Sequence, residues 1–419
     1  MKVKIKLLKG GLQMHLLENK GVTAPKGFLA AGIHCGVRKN HSKLDLALIY
    51  SEVPGNAAGV YTKNKVKGYP LYITKDHLAD KKAQAIIINS GNANTCTGDD
   101  GLLKAKQMAD FQAKALNIKT EDVLVASTGV IGVPLNIDKI KKGIPLLTEK
   151  LSTEGSEDAA HAIMTTDKVK KEIAVEFTIG GKTVTLGAIA KGSGMIEPNM
   201  GTMLSFLTTD LNISSELLEE ALKESTKISY NRVSVDGDTS TNDMVLIIAN
   251  GLADNKEIVT KNADYYTFLN VLNKVNISLA KMIARDGEGA NKLIECIVYN
   301  AENKKDAEIL SKSVINSPLV KTAMFGSDAN WGRVLCALGY SGVDINPNTI
   351  DLYFKSDLDE IKVCENGQGT SFDEIKAKEI LLREEIKILV DMKSGTESAI
   401  AWGCDLSYDY VKINGEYRS

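Results

Sequence analysis

Long apolar runs are missing from this 419-residue chain. No stretch approaches 18 apolar residues, so no helical membrane span is expected, and the basic N-terminus, MKVKIKLLK, lacks the apolar segment of a signal peptide. Charge of one sign is missing too. With 51 basic against 53 acidic residues the net charge is −2, which offers no basic field to nucleic acid and no acidic tail. Aromatic residues make up only 5%, few for stacking on bases. The six cysteines, at 35, 96, 296, 336, 364 and 404, include no C-x-x-C pair. That spacing argues against a zinc cluster, the length argues against a disulfide-stapled scaffold, and scattered thiols fit a reducing cytoplasm. A small molecule is the expected ligand, with no metal or tightly held cofactor indicated.

What is present is ordinary in bulk: 43% hydrophobic and 25% charged residues, as in soluble globular proteins. The length exceeds what one core usually serves, so two subdomains are expected. Residues 1 to about 75 carry turn signals at 9–11, 24–27 and 53–59, and read as short strands joined by ordered loops. Compact apolar runs at 84–89, 122–126, 203–207 and 244–249 read as buried strands. Further strands are expected near 293–299, 349–354, 386–390 and 398–402. Helical spacing marks 102–116, 136–150, 156–164, 263–285, 304–316 and 331–339. Ser214 with an early Glu opens another helix. Gly180-Gly181 between β-branched runs predicts a hairpin over 172–190. Strands and helices recur on both sides of the middle, so the expected class is a layered α/β sandwich.

The chain is organised around residues 191–210, KGSGMIEPNMGTMLSFLTTD. A loop-prone segment ends at Gly201, and Thr202 stands where a core strand begins. A hydroxyl beside an unshielded glycine carbonyl could attack it, moving the acyl group from nitrogen to oxygen, after which water could cut the ester. Thr202 would then be an N-terminus whose α-amine serves as base for its own hydroxyl. A loop entering a strand explains the same residues more plainly. Two further stretches carry a double reading. Residues 90–98, SGNANTCTG, suit tight turns or a ligand-facing loop. Residues 127–132, STGVIG, suit a strand-to-helix turn or donors aimed at a developing oxyanion. Glu288, on the small-residue turn 287–289, would ordinarily be solvated.

Some tempting signals fail. The Gly181-Lys182-Thr183 triplet lacks the glycine of a P-loop, since Glu176 stands at that position. Gly192 and Gly194 lack the third glycine of a dinucleotide fingerprint. Asp236, Asp238 and Asp243 lack EF-hand spacing and fit turn and capping roles.

In order along the chain, ten motifs resemble the ornithine acetyltransferases, also called bifunctional glutamate N-acetyltransferases. They are 32–38 (GIHCGVR), 55–61 (GNAAGVY), 89–94 (NSGNAN), 127–129 (STG), 165–167 (TTD), 191–195 (KGSGM), 202–204 (TML), 286–290 (DGEGA), 327–333 (SDANWGR) and 414–419 (NGEYRS). The resemblance implies a fold shared with self-processing aminopeptidases. It also implies cleavage between Gly201 and Thr202 into an α chain of residues 1–201 and a β chain of residues 202–419, assembled as a heterotetramer of two of each. The implied reaction moves acetyl from N2-acetyl-L-ornithine to L-glutamate within arginine biosynthesis; some members also acetylate glutamate from acetyl-CoA, and others do not. Thr202 would be the nucleophile, with Thr128 and Gly129 as the oxyanion-hole pair, in which a donor is worth about 3–4 kcal/mol in comparable sites. Thr165, Lys191, Thr202, Glu288, Asn414 and Ser419 would bind substrate. Two departures stand out: Gly201 replaces the usual Ala, and Ser419 replaces the common Thr. An aminopeptidase on the same fold and a non-catalytic nucleotide-binding scaffold are the competing readings.

Overall fold

The computed structural model describes residues 14–197 and 203–416. Through the first half run β1 (Met14–Leu17), β2 (Phe28–Ile33), β3 (Leu46–Tyr61), α1 (Tyr69–His77), β4 (Lys82–Asn92), α2 (Asp99–Leu116), β5 (Val123–Val130), α3 (Ile137–Glu149), α4 (Ser156–Ile163), β6 (Lys171–Ile179) and β7 (Lys182–Lys191). The middle supplies β8 (Leu204–Thr209), α5 (Ser215–Ile228), β9 (Val233–Ser234), β10 (Met244–Ala249) and α6 (Ala263–Arg285). The rest comprises β11 (Leu293–Ala301), α7 (Lys304–Asn316), α8 (Pro318–Phe325), α9 (Trp331–Gly339), β12 (Asp351–Lys355), β13 (Glu360–Glu365), β14 (Gln368–Gly369), α10 (Glu374–Leu381), β15 (Glu385–Asp391), β16 (Glu397–Cys404) and α11 (Tyr408–Glu416).

Two sheets divide the strands. One runs β1-β6-β7-β8-β10-β3-β4-β5 with β2 beside β3; the other runs β14-β13-β12-β15-β11-β16-β9. In the first, β8 sits antiparallel to β7 and parallel to β10, so residues before 198 and after 202 interleave in one sheet. The apolar runs at 203–207 and 244–249 are continuous because both faces of these strands are buried. Phe206, Leu246 and Ile248 pack toward α4, whereas Leu207, Val245 and Ile247 pack toward α5 and α6. Each such side chain contributes about 1.5–3 kcal/mol when fully buried. Farther along, α2 and α3 cover Ala85 and Ile87 of β4. The second sheet has its own core beneath α7, α8, α9 and α10. Helix α6 joins the layers, packing on β6 and β7 of the first sheet and on β11 and β16 of the second.

The layered α/β expectation holds, and the local differences have physical causes. The turn signals at 53–59 lie inside β3, a 16-residue strand whose pairing with β4 slips between Tyr50 and Gly55. Pro54 has no N–H to give and so sits at that irregularity. The segment 127–130, read as a turn, continues β5 instead, paired with β4 through Gly91 and Gly129. Helix α1 occupies part of the stretch assigned to short strands, opening with a proline in its first turn. The hairpin joining β6 to β7 has Gly180 and Gly181 both at positive φ, as a two-residue primed turn needs. All six cysteines are free. Among the described residues no helix is long and apolar enough to cross a membrane.

Candidate active site

Strand β5 delivers Thr128 to the site. Its Oγ1 lies 3.5 Å from Nζ of Lys191, the last residue of β7. The next residue, Gly129, adopts φ +136°, and a Cβ there would fall 2.3 Å from the Gly91 carbonyl carbon. Backbone conformation and the close approach of β4 both demand glycine at this position. Thr128, Lys191, Met203, Asn242 and Asp243 line a cavity of about 20 Å³.

A buried charge network sits behind Lys191. Lys171, fully buried at the start of β6, donates to Asp167 Oδ1 at 2.7 Å and to Asp286 Oδ2 at 2.6 Å. Asp167 also accepts the N–H groups of Gly192 at 2.8 Å and Thr165 at 2.9 Å. Asp286 accepts the Lys168 N–H at 3.1 Å, and its carbonyl takes the Ser193 hydroxyl at 2.7 Å. One lysine thereby ties together the three segments that carry Thr165, Lys191 and Glu288. Burial opposes ionisation of Asp167, yet the ammoniums of Lys171 and Lys191 overcome it and hold the carboxyl below the usual carboxylate range. Burial lowers the Lys191 pKa, with Asp167, Asp243 and Glu288 pulling the other way.

Helix α6 ends at Arg285, and the turn after it presents Glu288. That turn is locked to the loop following β7: the Glu288 N–H donates to the Ser193 carbonyl at 3.0 Å. Glu288 is 6% exposed, not solvated, because this loop and α11 close over it. Asn414 of α11 donates from Nδ2 to Glu288 Oε2 at 2.7 Å. Gly289, at φ +72°, lets α11 approach so closely that a Cβ would meet the Tyr410 nitrogen at 2.5 Å.

Of the residues expected from sequence, Thr128, Gly129, Thr165, Lys191, Glu288 and Asn414 are brought into one connected region. Gly201, Thr202 and Ser419 lie outside the described residues. Met203, the covalent neighbour of Thr202, lines the cavity, and its carbonyl accepts the Met244 N–H at 3.1 Å. On the other flank the residues preceding 198 are clamped. Asp236 accepts from Met195 N at 2.7 Å and Ile196 N at 2.8 Å, and Glu197 pairs with Lys312 of α7 at 3.0 Å. Sequence reasoning overlooked Lys171 and Asn242. Nothing local marks a buried lysine at a strand start, although its i−4 spacing from Asp167 was visible. Asp236 has the backbone-capping role foreseen for it, but toward a distant loop.

A cavity of about 400 Å³ lies elsewhere, on residues 327–332 with Phe372, Glu374 and Lys378. None of the residues just described lines it. There, Ser327 accepts from Lys292 Nζ at 2.8 Å and Asn330 caps α9, so that motif has structural work of its own.

A layered α/β fold that sets a strand-borne hydroxyl and a buried ammonium at one cavity, with a carboxylate–amide pair lying against Gly194 of its lining, defines an enzyme, and its class is that of the acyltransferases. The model of the ArgJ family matches residues 29–419. The arginine biosynthesis bifunctional protein ArgJ of Caldanaerobacter subterraneus subsp. tengcongensis is 53% identical over 406 residues, covering 97% of this chain and 100% of the relative. ArgJ 1 of Clostridium acetobutylicum is 54% identical over 404 residues, 96% of this chain and 99% of its own. Among solved structures, the bifunctional ArgJ of Bacillus halodurans matches at 46% identity and a TM-score of 0.49, over 52% of this chain and 100% of the solved one. The chain belongs to the ArgJ family.

Proposed function

We propose that the protein moves acetyl from N2-acetyl-L-ornithine to L-glutamate through an acetyl ester on Thr202, after cutting its own backbone between Gly201 and Thr202. The observation that carries this is the convergence of Thr128 and Lys191 beside Met203, with Glu288, held by Asn414, lying against Gly194 of the same cavity lining. The freed α-amine of Thr202 takes the proton from its hydroxyl as Oγ attacks the acetyl carbonyl. Thr128 Oγ1 and the Gly129 N–H receive the oxyanion, and ornithine departs with the proton on its α-nitrogen. Glutamate then enters and its amine attacks the ester in the reverse sense.

The charges suit amino-acid substrates. Burial outweighs the carboxylates around Lys191 and leaves it destabilised as an ammonium, so a substrate carboxylate beside it adds a favourable counter-charge. Glu288, oriented by Asn414, suits an ammonium group. Thr165 and Ser419 complete the substrate contacts in this reading. The relatives' names carry the word bifunctional; the second activity is read here as acetylation of glutamate from acetyl-CoA. The cut chains assemble as two α and two β chains in the cytoplasm.

Denaturing electrophoresis of the purified protein should show pieces of 201 residues and the remaining 218 of the 419. Incubation with acetylornithine alone should leave acetyl on the Thr202-bearing piece. Thr202→Ala should stay one 45.3 kDa chain without transferase activity. An uncleaved Thr202→Ala protein that still transfers acetyl would end this reading.

A further inference from the structure

Self-cleavage poses a chemical problem that acetyl transfer does not. Before the backbone is cut, the Thr202 nitrogen is an amide and has no basicity with which to accept its hydroxyl proton. Another group has to take that proton. Among the described residues lining the cavity, two can ionise: Lys191 and Asp243.

Their placement separates them. Lys191 Nζ lies beside Thr128 Oγ1, on the side where negative charge is received. Asp243 stands at the head of β10, the strand parallel to β8, with Leu204 opposite Met244. The bond from Met244 N to the Met203 carbonyl puts Asp243 level with Met203, whose covalent neighbour is Thr202. Adjacent strands lie only about 4.8 Å apart. Asp243 is 2% exposed and its backbone is held rigidly. Its carbonyl accepts the Thr62 N–H at 3.0 Å. Asn242, just before it, donates to the Ala93 and Ser127 carbonyls at 2.6 and 3.0 Å and accepts the Thr95 and Thr241 hydroxyls at 2.7 and 2.6 Å.

We propose that Asp243 is the proton acceptor for the Thr202 hydroxyl during self-cleavage, a role resting on the reading of Thr202 given above. The carboxylate takes the hydroxyl proton as Oγ bonds to the Gly201 carbonyl carbon, with Lys191 and Thr128 facing the oxyanion. The tetrahedral intermediate collapses by breaking the Gly201–Thr202 C–N bond, and Asp243 returns the proton to the departing nitrogen. The product is an ester between Gly201 and Thr202 Oγ beside a new α-amine. Water, assisted by that amine, cuts the ester, restoring the hydroxyl and leaving Gly201 as a carboxylate. The cavity exceeds the roughly 10–15 Å³ that one water needs. From then on the amine is the base and Asp243 is spared.

The test follows cleavage of full-length chains by denaturing electrophoresis, with melting temperature recorded for each. Asp243→Asn should persist as a 45.3 kDa chain, its pieces forming about 100-fold more slowly, the low end for loss of a general base. Asp243→Ala should be equally slow and be accelerated about ten-fold by added formate, a base small enough to enter the space left. Asp243→Glu, which keeps the carboxylate, should outpace Asp243→Asn by about ten-fold. Asp243→Asn cleaving at the parent rate overturns the proposal. So does Asp243→Glu cleaving no faster than Asp243→Asn, or an Asp243→Ala chain of parental melting temperature that ignores formate. Thr202→Ala keeps the two readings apart. If that variant is still cut at 201/202, the Thr202 assignment itself fails, whatever Asp243 does.

Discussion

The Glu288 carboxylate lies directly over the Cα of Gly194: a Cβ built there would sit 2.3 Å from the carboxylate carbon. The contact joins the loop after β7 to the turn after α6, so the position of one acid depends on another residue having no side chain. Gly194→Ala gains a methyl with nowhere to go, an overpacking cost of about 1–3 kcal/mol. Because Glu288 is what must move, the expected result is a KM for acetylornithine raised about ten-fold or more, with cleavage at 201/202 unaffected. Steady-state kinetics check this, and an unchanged KM would refute it.

Charge at position 288 can be removed without changing shape. Glu288→Gln should raise the acetylornithine KM by about 10- to 100-fold, the worth of a charged hydrogen bond at about 1.5–3 kcal/mol, while kcat moves little. Asn414→Ala, which leaves the acid charged but unoriented, should have a smaller effect in the same direction. If Asn414→Ala proved the more damaging, the amide rather than the acid would be the binding group.

Lys171 neutralises two buried carboxylates, Asp167 and Asp286, that among the described residues have no other ammonium within bonding distance. Lys171→Met would leave Asp167 and Asp286 buried and unpaired, which typically costs about 3–5 kcal/mol. Denaturant unfolding should show that loss, together with poor retention of activity because Thr165, Lys191 and Glu288 all hang from this network. A stability change below about 1 kcal/mol would mean that the pairing contributes as little as an exposed ion pair does.

Asp167 also sets an acid limit. Its folded pKa is held below the ordinary value of 3.8, so the folded state binds its proton less readily than the unfolded chain does. The stability it confers is complete above that ordinary value and drains away as pH falls through the depressed one. The stability gap between the parent and Asp167→Asn should therefore be constant near neutrality and narrow below about pH 4. Thermal unfolding across that range measures it; a gap unchanged at the acid end would contradict the ion-pair account.

Much of the fold could be read in the chain because its signals are local. The apolar runs at 84–89 and 244–249 became β4 and β10, Gly180-Gly181 became the turn between β6 and β7, and Ser214 caps α5 through the Leu217 N–H. Where local signals compete with long-range pairing, the reading failed. Pro54-Gly55 says turn, yet three neighbouring strands recruit the whole of β3 and shift the irregularity into a bulge. The short helices α10 and α11 carry too little periodicity to stand out; α11 buries none of its residues and holds its place partly through Asn414.

By itself the sequence determined the alternation of strands and helices, the scattered free thiols, and which residue types were available for acyl chemistry around position 202. Those depend on spacing and side-chain type along a few consecutive residues. Tertiary structure alone decided that Lys171, already near Asp167, would also reach Asp286, 115 residues further along the chain, that Glu288 would be buried, and that Asp243 would come level with Met203. Such contacts exist only once the sheets have paired, because low-dielectric burial and opposite charges across neighbouring strands are properties of the packed chain and of no segment of it.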